Sequence, residues 1–260
     1  MSIDEAALRT AWRSSLLAPT HGATAPAASP ELRRASDAAF EALLTRYREP
    51  HRRYHGVTHL VWVLRHVREL AEHEPVADLA AVRMAAFFHD AVYDPRASDN
   101  EHVSARLAES VVGEFTTFAD LAWAPDRITH VVAMIEATAT HELPADDAGP
   151  GGTTMPAERR DDTRGNAGMA TLAGRRHDTA VMLDADLAIL GADPAAYRAY
   201  VDGVRVEYRH VDDESWRRGR SAVLESFLHR TQLFHTPTAR TRWTARARAN
   251  LTAELAGLRR

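Results

Sequence analysis

The stretch RMAAFFHDAVY (residues 83–93) sets a histidine and an aspartate inside an otherwise apolar run. Carried back to Leu79, it puts Leu79, Val82, Ala86, His89 and Tyr93 on one stripe at the 3.6-residue period of a helix, predicted from about Val76 to Tyr93. Burying a carboxylate in such a run is costly unless it is paired or bound to a cation. VMLDADLAIL (181–190) repeats the anomaly, with Asp184 and Asp186 amid Val181, Met182, Leu183, Leu187, Ile189 and Leu190. YHGVTH (54–59) adds His55 and His59, four residues apart and so on one face of a helix. One such residue alone reads as a hydrogen-bonded core group. Two histidines and two aspartates on three helices, all facing the core, form a convergent nitrogen and oxygen site. Mn, Fe, Co, Ni or Zn accept such a set, and Mg is possible.

Outward from these segments the period stays helical. Leu8, Trp12 and Leu16 mark a first helix, and Phe40, Leu43, Leu44 and Tyr47 the apolar side of a second, between Pro30 and Pro50. Val57, Leu60, Leu64, Val67 and Ala71 carry a third, reaching about His73. Asp99 serves as N-cap for a helix with Val103, Leu107 and Val111 inside, and 126–141 is helical around Ile128, Val131, Val132 and Ile135. A short buried helix over 179–190 precedes others over 194–210, 213–234 and 238–258. Residues 18–30 read as a Pro/Ala/Ser/Gly loop. Residues 143–178, rich in Gly, Pro, Asp, Thr and Arg, lack periodicity and read as a long flexible insertion or a lid. There is no hairpin signal, no strand-like alternation and no repeat, so the expectation is one all-α domain over 1–260.

Composition removes other chemistries. The chain of 260 residues has no cysteine and no lysine, so all 32 basic residues are arginine. That excludes disulfides, thiolate sites, a cysteine nucleophile, a Schiff base and a P-loop lysine. With 36 acidic residues interspersed among the basic ones the net charge is −4, and no nucleic-acid polymer is expected as partner. No basic segment followed by an apolar run opens the chain, and no stretch approaches the roughly 20 apolar residues that span a bilayer. A cytoplasmic protein without membrane contact is the expectation, and a homo-oligomer is compatible with it. The familiar G-x-S-x-G, H-E-x-x-H and G-x-G-x-x-G motifs are absent.

His…His-Asp…Asp at these intervals resembles the HD superfamily of metal-dependent phosphohydrolases. YHGVTH is similar to the Y-H-N-x-x-H signature of cyclic nucleotide phosphodiesterases, distant members of that superfamily. More closely, RRYHGVTH, FFHDAVYD, DNEHVSA, EATATH, LDADLAILG, VEYRHV and RGR resemble a bacterial family described as predicted metal-dependent HD phosphohydrolases, over roughly 31–258 without 143–178. The resemblance implies an HD-domain-like helical bundle around a central metal. It implies His59, His89, Asp90 and one Asp of LDADL as ligands, with His55 donating a proton; His55 and His59 remain exchangeable as first ligand. Two residues along a helix turn through about 200°, so Asp184 and Asp186 do not both face one ion. A small residue before the ligand and a leucine soon after it, as in the superfamily, favour Asp186.

Further candidates follow. His130, Met134 and His141 share a helical face; the resemblance implies His141 as a contact for a second metal or a phosphate, and the alternative is a surface histidine near a helix end. Glu101 orients a metal-bound water or stabilises a helix N-terminus. Arg53, Arg205 and Arg220 hold a phosphate by bidentate contacts or belong to the solvated surface. The expected reaction is hydrolysis of a small phosphorylated molecule, possibly a nucleotide, with Asp90 taking the water proton. The alternatives are a di-iron oxygenase of the same scaffold, which would have to recruit His130 or His141, and a silent metal-binding or ligand-sensing module. The tryptophans read as core.

Overall fold

A computed structural model describes residues 4–17, 29–117, 123–144 and 162–260. Among these the chain forms α-helices and short 3-10 turns with no strand, so the all-α expectation holds. The helices are α1 (Glu5–Leu16), α2 (Pro30–Tyr47), α3 (Val57–Ala71), α4 (Leu79–Phe88), α5 (Asn100–Glu114) and α6 (Pro125–Ala137). After them come α7 (Asp162–Leu187), α8 (Pro194–Glu207), α9 (Asp213–His229) and α10 (Pro237–Leu258). No helix among the described residues is long and apolar enough to cross a membrane.

The organising element is α4. Ala81, Val82, Met84, Ala85, Ala86, Phe87 and Phe88 are all buried, and α1, α3, α5, α6 and α7 pack around it. A helix that is apolar on every side belongs in the middle of a core. It starts at Asp78, whose side chain accepts from Ala81 N at 3.0 Å and pairs with Arg127. It stops at Phe88, five residues before the sequence pattern does. Side chains take the carbonyls at its end and in the turn beyond: Tyr47 Oη donates to Phe87 O at 3.0 Å, and Arg52 donates to Asp90 O at 2.7 Å and Ala91 O at 3.1 Å. His89 and Asp90 therefore lie in the turn beyond the helix, free of its stripe.

Three other expectations change. α5 buries Ser104, Ala105, Ala108 and Val112, while Val103 stays 39% exposed. Its small residues let it pack closely against α6, while Leu107 and Val111 are partly buried against the core. α6 ends at Ala137, so His141 lies past it, with a left-handed φ of 52°. The third concerns 143–178. Residues 145–161 lie outside the described residues, as do 18–28, but 162–178 are helical and continue into α7. The glycines and arginines of 162–178 break the apolar period without breaking the helix, and from Arg175 onward tertiary contacts hold it. Asp178 accepts from Ala77 N at 2.7 Å and Asp78 N at 3.0 Å, and Arg175 pairs with Asp126.

Behind the site, α10 lies against the 3-10 turn Ala188–Gly191 that ends α7. Asn250 Nδ2 donates to Leu190 O and Ala192 O, and Gly191 sits so close that a Cβ there would stand 2.5 Å from Trp243 Cβ.

Candidate metal centre

Three pieces of backbone meet at the C-terminal end of α4. α3 supplies His59, the turn after α4 supplies His89 and Asp90, and α7 supplies Asp186. His59 Nε2 lies 3.1 Å from His89 Nε2. Asp90 Oδ2 is 3.3 Å from each ring nitrogen, and Asp186 Oδ1 is 3.2 Å from His59 and 3.5 Å from His89. Atoms bound at about 2.1 Å to one ion are roughly 3.0–3.5 Å apart, so these separations are those of a ligand set. His89 Nδ1 donates to Ala86 O at 2.9 Å, which directs the lone pair of Nε2 inward. Two imidazoles and two carboxylates at this spacing suit an ion of intermediate softness, and the His59–His89–Asp90 group can hold one.

The electrostatics agree. Burial opposes the charge on Asp90 and Asp186, yet facing His89 and bonding to the surrounding histidines keep both carboxyls well below their usual range. Burial likewise opposes protonation of His59 and His89, but the two carboxylates outweigh it and raise both. The cluster thus demands positive charge at its centre, from protons or from a metal.

Asp184 is placed elsewhere. Fully buried, it accepts from His235 N and Thr236 N, both at 2.7 Å, and burial pushes its carboxyl up. It fastens the start of α10 to α7, and it is no ligand. His130 also points away, with Nε2 3.5 Å from Asp178 Oδ2. His141 joins the site: its Nε2 stands 3.0 Å from Asp186 Oδ2. Its backbone is held by Arg230, which donates to Thr140 O and His141 O, and by His235 Nε2 at 3.2 Å from His141 O. A non-glycine residue in the left-handed region costs of order 1–2 kcal/mol, which these clamps offset.

His55 lies in the turn before α3, not on the helix, and reaches the same cavity. Its ring is 5.6 Å from that of His59. Glu207, not singled out as a site residue from the sequence, sets this turn. Glu207 Oε1 accepts the backbone N–H of Arg53 (2.6 Å), Tyr54 (2.8 Å) and His55 (3.0 Å). Its Oε2 accepts from His55 Nδ1 (2.7 Å) and from Tyr93 Oη (3.0 Å). Burial opposes its charge, but the bond from His55 and the backbone donors outweigh it and lower its carboxyl to about 2. Arg52 joins the two turns of the site, donating to His55 O at 2.9 Å as well as to Asp90 O.

The cluster floors a cavity of about 730 Å³, within the size range of small-molecule sites. His55, Glu101, His141 and Arg220 line it. Arg220 is paired with Glu254, through Nε at 2.7 Å and Nη2 at 3.1 Å. Arg53 does not line it: exposed, it donates to Pro50 O and Arg52 O. Nor does Arg205, which is bound to Tyr208 O, Val211 O and Asp213. Trp216, read as core, lines the cavity. Fold and site together define an all-helical protein with a candidate His/Asp metal centre at the base of an open cavity. No protein-family model matches the chain, and no curated protein or solved structure does.

Proposed function

We propose that the chain is a metal-dependent phosphohydrolase with an HD-domain-like bundle, acting on a small phosphoester. The observation that carries this reading is the convergence of His59, His89, Asp90 and Asp186 at ligand spacing on the floor of a substrate-sized cavity. The ion would be a divalent transition metal, Mn, Fe, Co, Ni or Zn, with Mg possible, held by those four residues. When bound it supplies an acidified water and neutralises phosphoryl charge.

The chain's own residues complete the chemistry. Asp90, held well below the usual carboxylate range, is a weak base and orients the water by accepting its hydrogen bond. His55 donates Nδ1–H to Glu207, so Nε2 is the nitrogen that can carry a proton to the leaving oxygen. Glu207 stabilises the imidazolium this requires, as a buried carboxylate does behind a catalytic histidine. His141 holds Asp186 in register, and Glu101 stands on the cavity wall in the first turn of α5.

The test is metal analysis of the purified protein, then a phosphoester panel with Mn²⁺, Co²⁺, Ni²⁺ and Mg²⁺. One ion or more per chain is expected, with turnover, and both should be lost in His89→Ala and Asp90→Ala. Stoichiometric metal with no turnover would instead indicate a silent binding module. Oxygen uptake by the iron-loaded protein would indicate an oxygenase.

A further inference from the structure

One wall of the cavity is an apolar stripe that the core takes up only in part. On α9, Trp216, Gly219, Val223 and Phe227 recur at intervals of three, four and four residues, so they share a face, and all four line the cavity. α9 meets the core through Leu224, fully buried in the main cluster, and of the stripe Phe227 is partly buried against that cluster. Val223 remains 44% exposed, and a Cβ built on Gly219 meets no atom within 4 Å. Tyr200 and Tyr208 extend the wall, with the Tyr208 ring 5.6 Å from Trp216. The stripe runs down to the metal cluster, because the Phe227 ring is 6.2 Å from His141, which is bonded to Asp186.

Charge narrows what fits there. The chain has no lysine, and among the described residues Arg220 is the one guanidinium on the lining, engaged by Glu254 and lying over Tyr200. Asp90, Asp186 and Glu101 put carboxylates on the same surface. Arg205 over Trp216 and Arg230 over Phe227 are held by Asp213 and by backbone carbonyls, so a di- or triphosphate would bring several negative charges to a wall whose guanidiniums are already engaged, the opposite of what polyphosphate recognition requires.

We infer that the substrate is a phosphomonoester with a single phosphoryl group on a flat, uncharged, largely apolar alcohol, whose ring lies on the α9 stripe. This rests on the phosphohydrolase reading. In the reaction the water oxygen bonds to phosphorus and the bond from phosphorus to the alcohol oxygen breaks. That oxygen takes a proton from His55, the water gives up one proton to solvent, and His55 takes one back from solvent, leaving inorganic phosphate and the alcohol.

The test compares 2-naphthylmethyl phosphate with ethyl phosphate, whose leaving alcohols are similar in acidity, and with adenosine triphosphate. The naphthylmethyl ester should show a KM at least about tenfold lower than ethyl phosphate, from the apolar area its ring covers, and the triphosphate should not be turned over. Gly219→Leu fills the open space while favouring the helix. It should raise KM for the naphthylmethyl ester about tenfold and alter that for ethyl phosphate much less, and Trp216→Ala should narrow the same ratio. Calorimetry of 2-naphthylmethanol binding to metal-free protein reads the stripe without catalysis, and Gly219→Leu should weaken it. Equal KM values for the two monoesters, turnover of the triphosphate, or naphthylmethanol binding unaffected by Gly219→Leu would overturn the inference. If no phosphoester is hydrolysed, the phosphohydrolase reading fails, and the calorimetric result alone decides whether the stripe is a site for a flat apolar ring.

Discussion

Asp184 and Asp186 are two residues apart and do unrelated work. The helical rotation between them aims one at the backbone of α10's first turn and the other at the metal cluster. Asp186→Asn should reduce metal occupancy at least tenfold, measured by metal analysis after dialysis, with the fold retained. Asp184→Asn should keep the metal and lower stability by about 1–3 kcal/mol in denaturant titration, because two buried N–H groups lose a charged acceptor. The reverse pattern would exchange their roles. Both residues were legible in the sequence for one reason, a charge amid apolar neighbours, and the sequence separated them only through the resemblance. Glu207 carried the same signal, since it follows Tyr197, Val204 and the apolar side of α8 into the core. Arg52 carried none beyond its place in RRYHGVTH: it acts on backbone carbonyls of two turns, and no periodicity marks a residue that ties one turn to another distant in sequence.

Elements were legible in kind and less so in extent. α4 is evident from its apolar run, but its end is set by Tyr47 and Arg52, residues about forty positions away. α5 was placed correctly, and of its apolar residues Leu107 and Val111 are partly buried while Val103 is exposed, because the smaller Ser104, Ala105 and Ala108 fill the fully buried face. In α7 the contacts of Asp178 and Arg175 extend a helix through sequence with no apolar period. The junction of α7 with α10 is the tightest of these contacts. A methyl at Gly191 would meet the Cβ, Cα and Cγ of Trp243 at 2.5–3.0 Å, so backbone as well as side chain must move. Gly191→Ala should cost about 1–3 kcal/mol, the usual penalty of overpacking, read as a lowered urea midpoint with unchanged slope. A neutral or stabilising result would mean that α10 shifts freely at this junction. Because the turn follows directly on Asp186, metal affinity should fall with the same substitution.

At the scale of the molecule, the centre joins segments that the chain keeps far apart: 59, 89–90 and 186. The surrounding core is continuous without it, so an ion adds to a fold that already exists. An ion at 100 times its dissociation constant stabilises by about 2.7 kcal/mol, roughly 5–10 °C in Tm for a chain of this size. The pH dependence has a definite sign. In the metal-free protein the carboxylates raise His59 and His89, so their protonation stabilises the fold fully below the ordinary histidine range, and that contribution is lost as pH rises through the raised values. Asp90 and Asp186 are lowered, so their contribution is present above the usual carboxylate range and lost only in acid. Chelated protein should therefore lose stability as pH rises past neutrality, while metal-loaded protein keeps the charge balance that the protons supplied. Protons and metal compete for the same ring nitrogens, so the Tm difference between loaded and chelated protein should widen with rising pH and shrink toward zero in mild acid. In His89→Ala, scanning calorimetry should find no difference at any pH. A difference that is constant with pH, or that survives in His89→Ala, would put the stabilising ion outside this cluster.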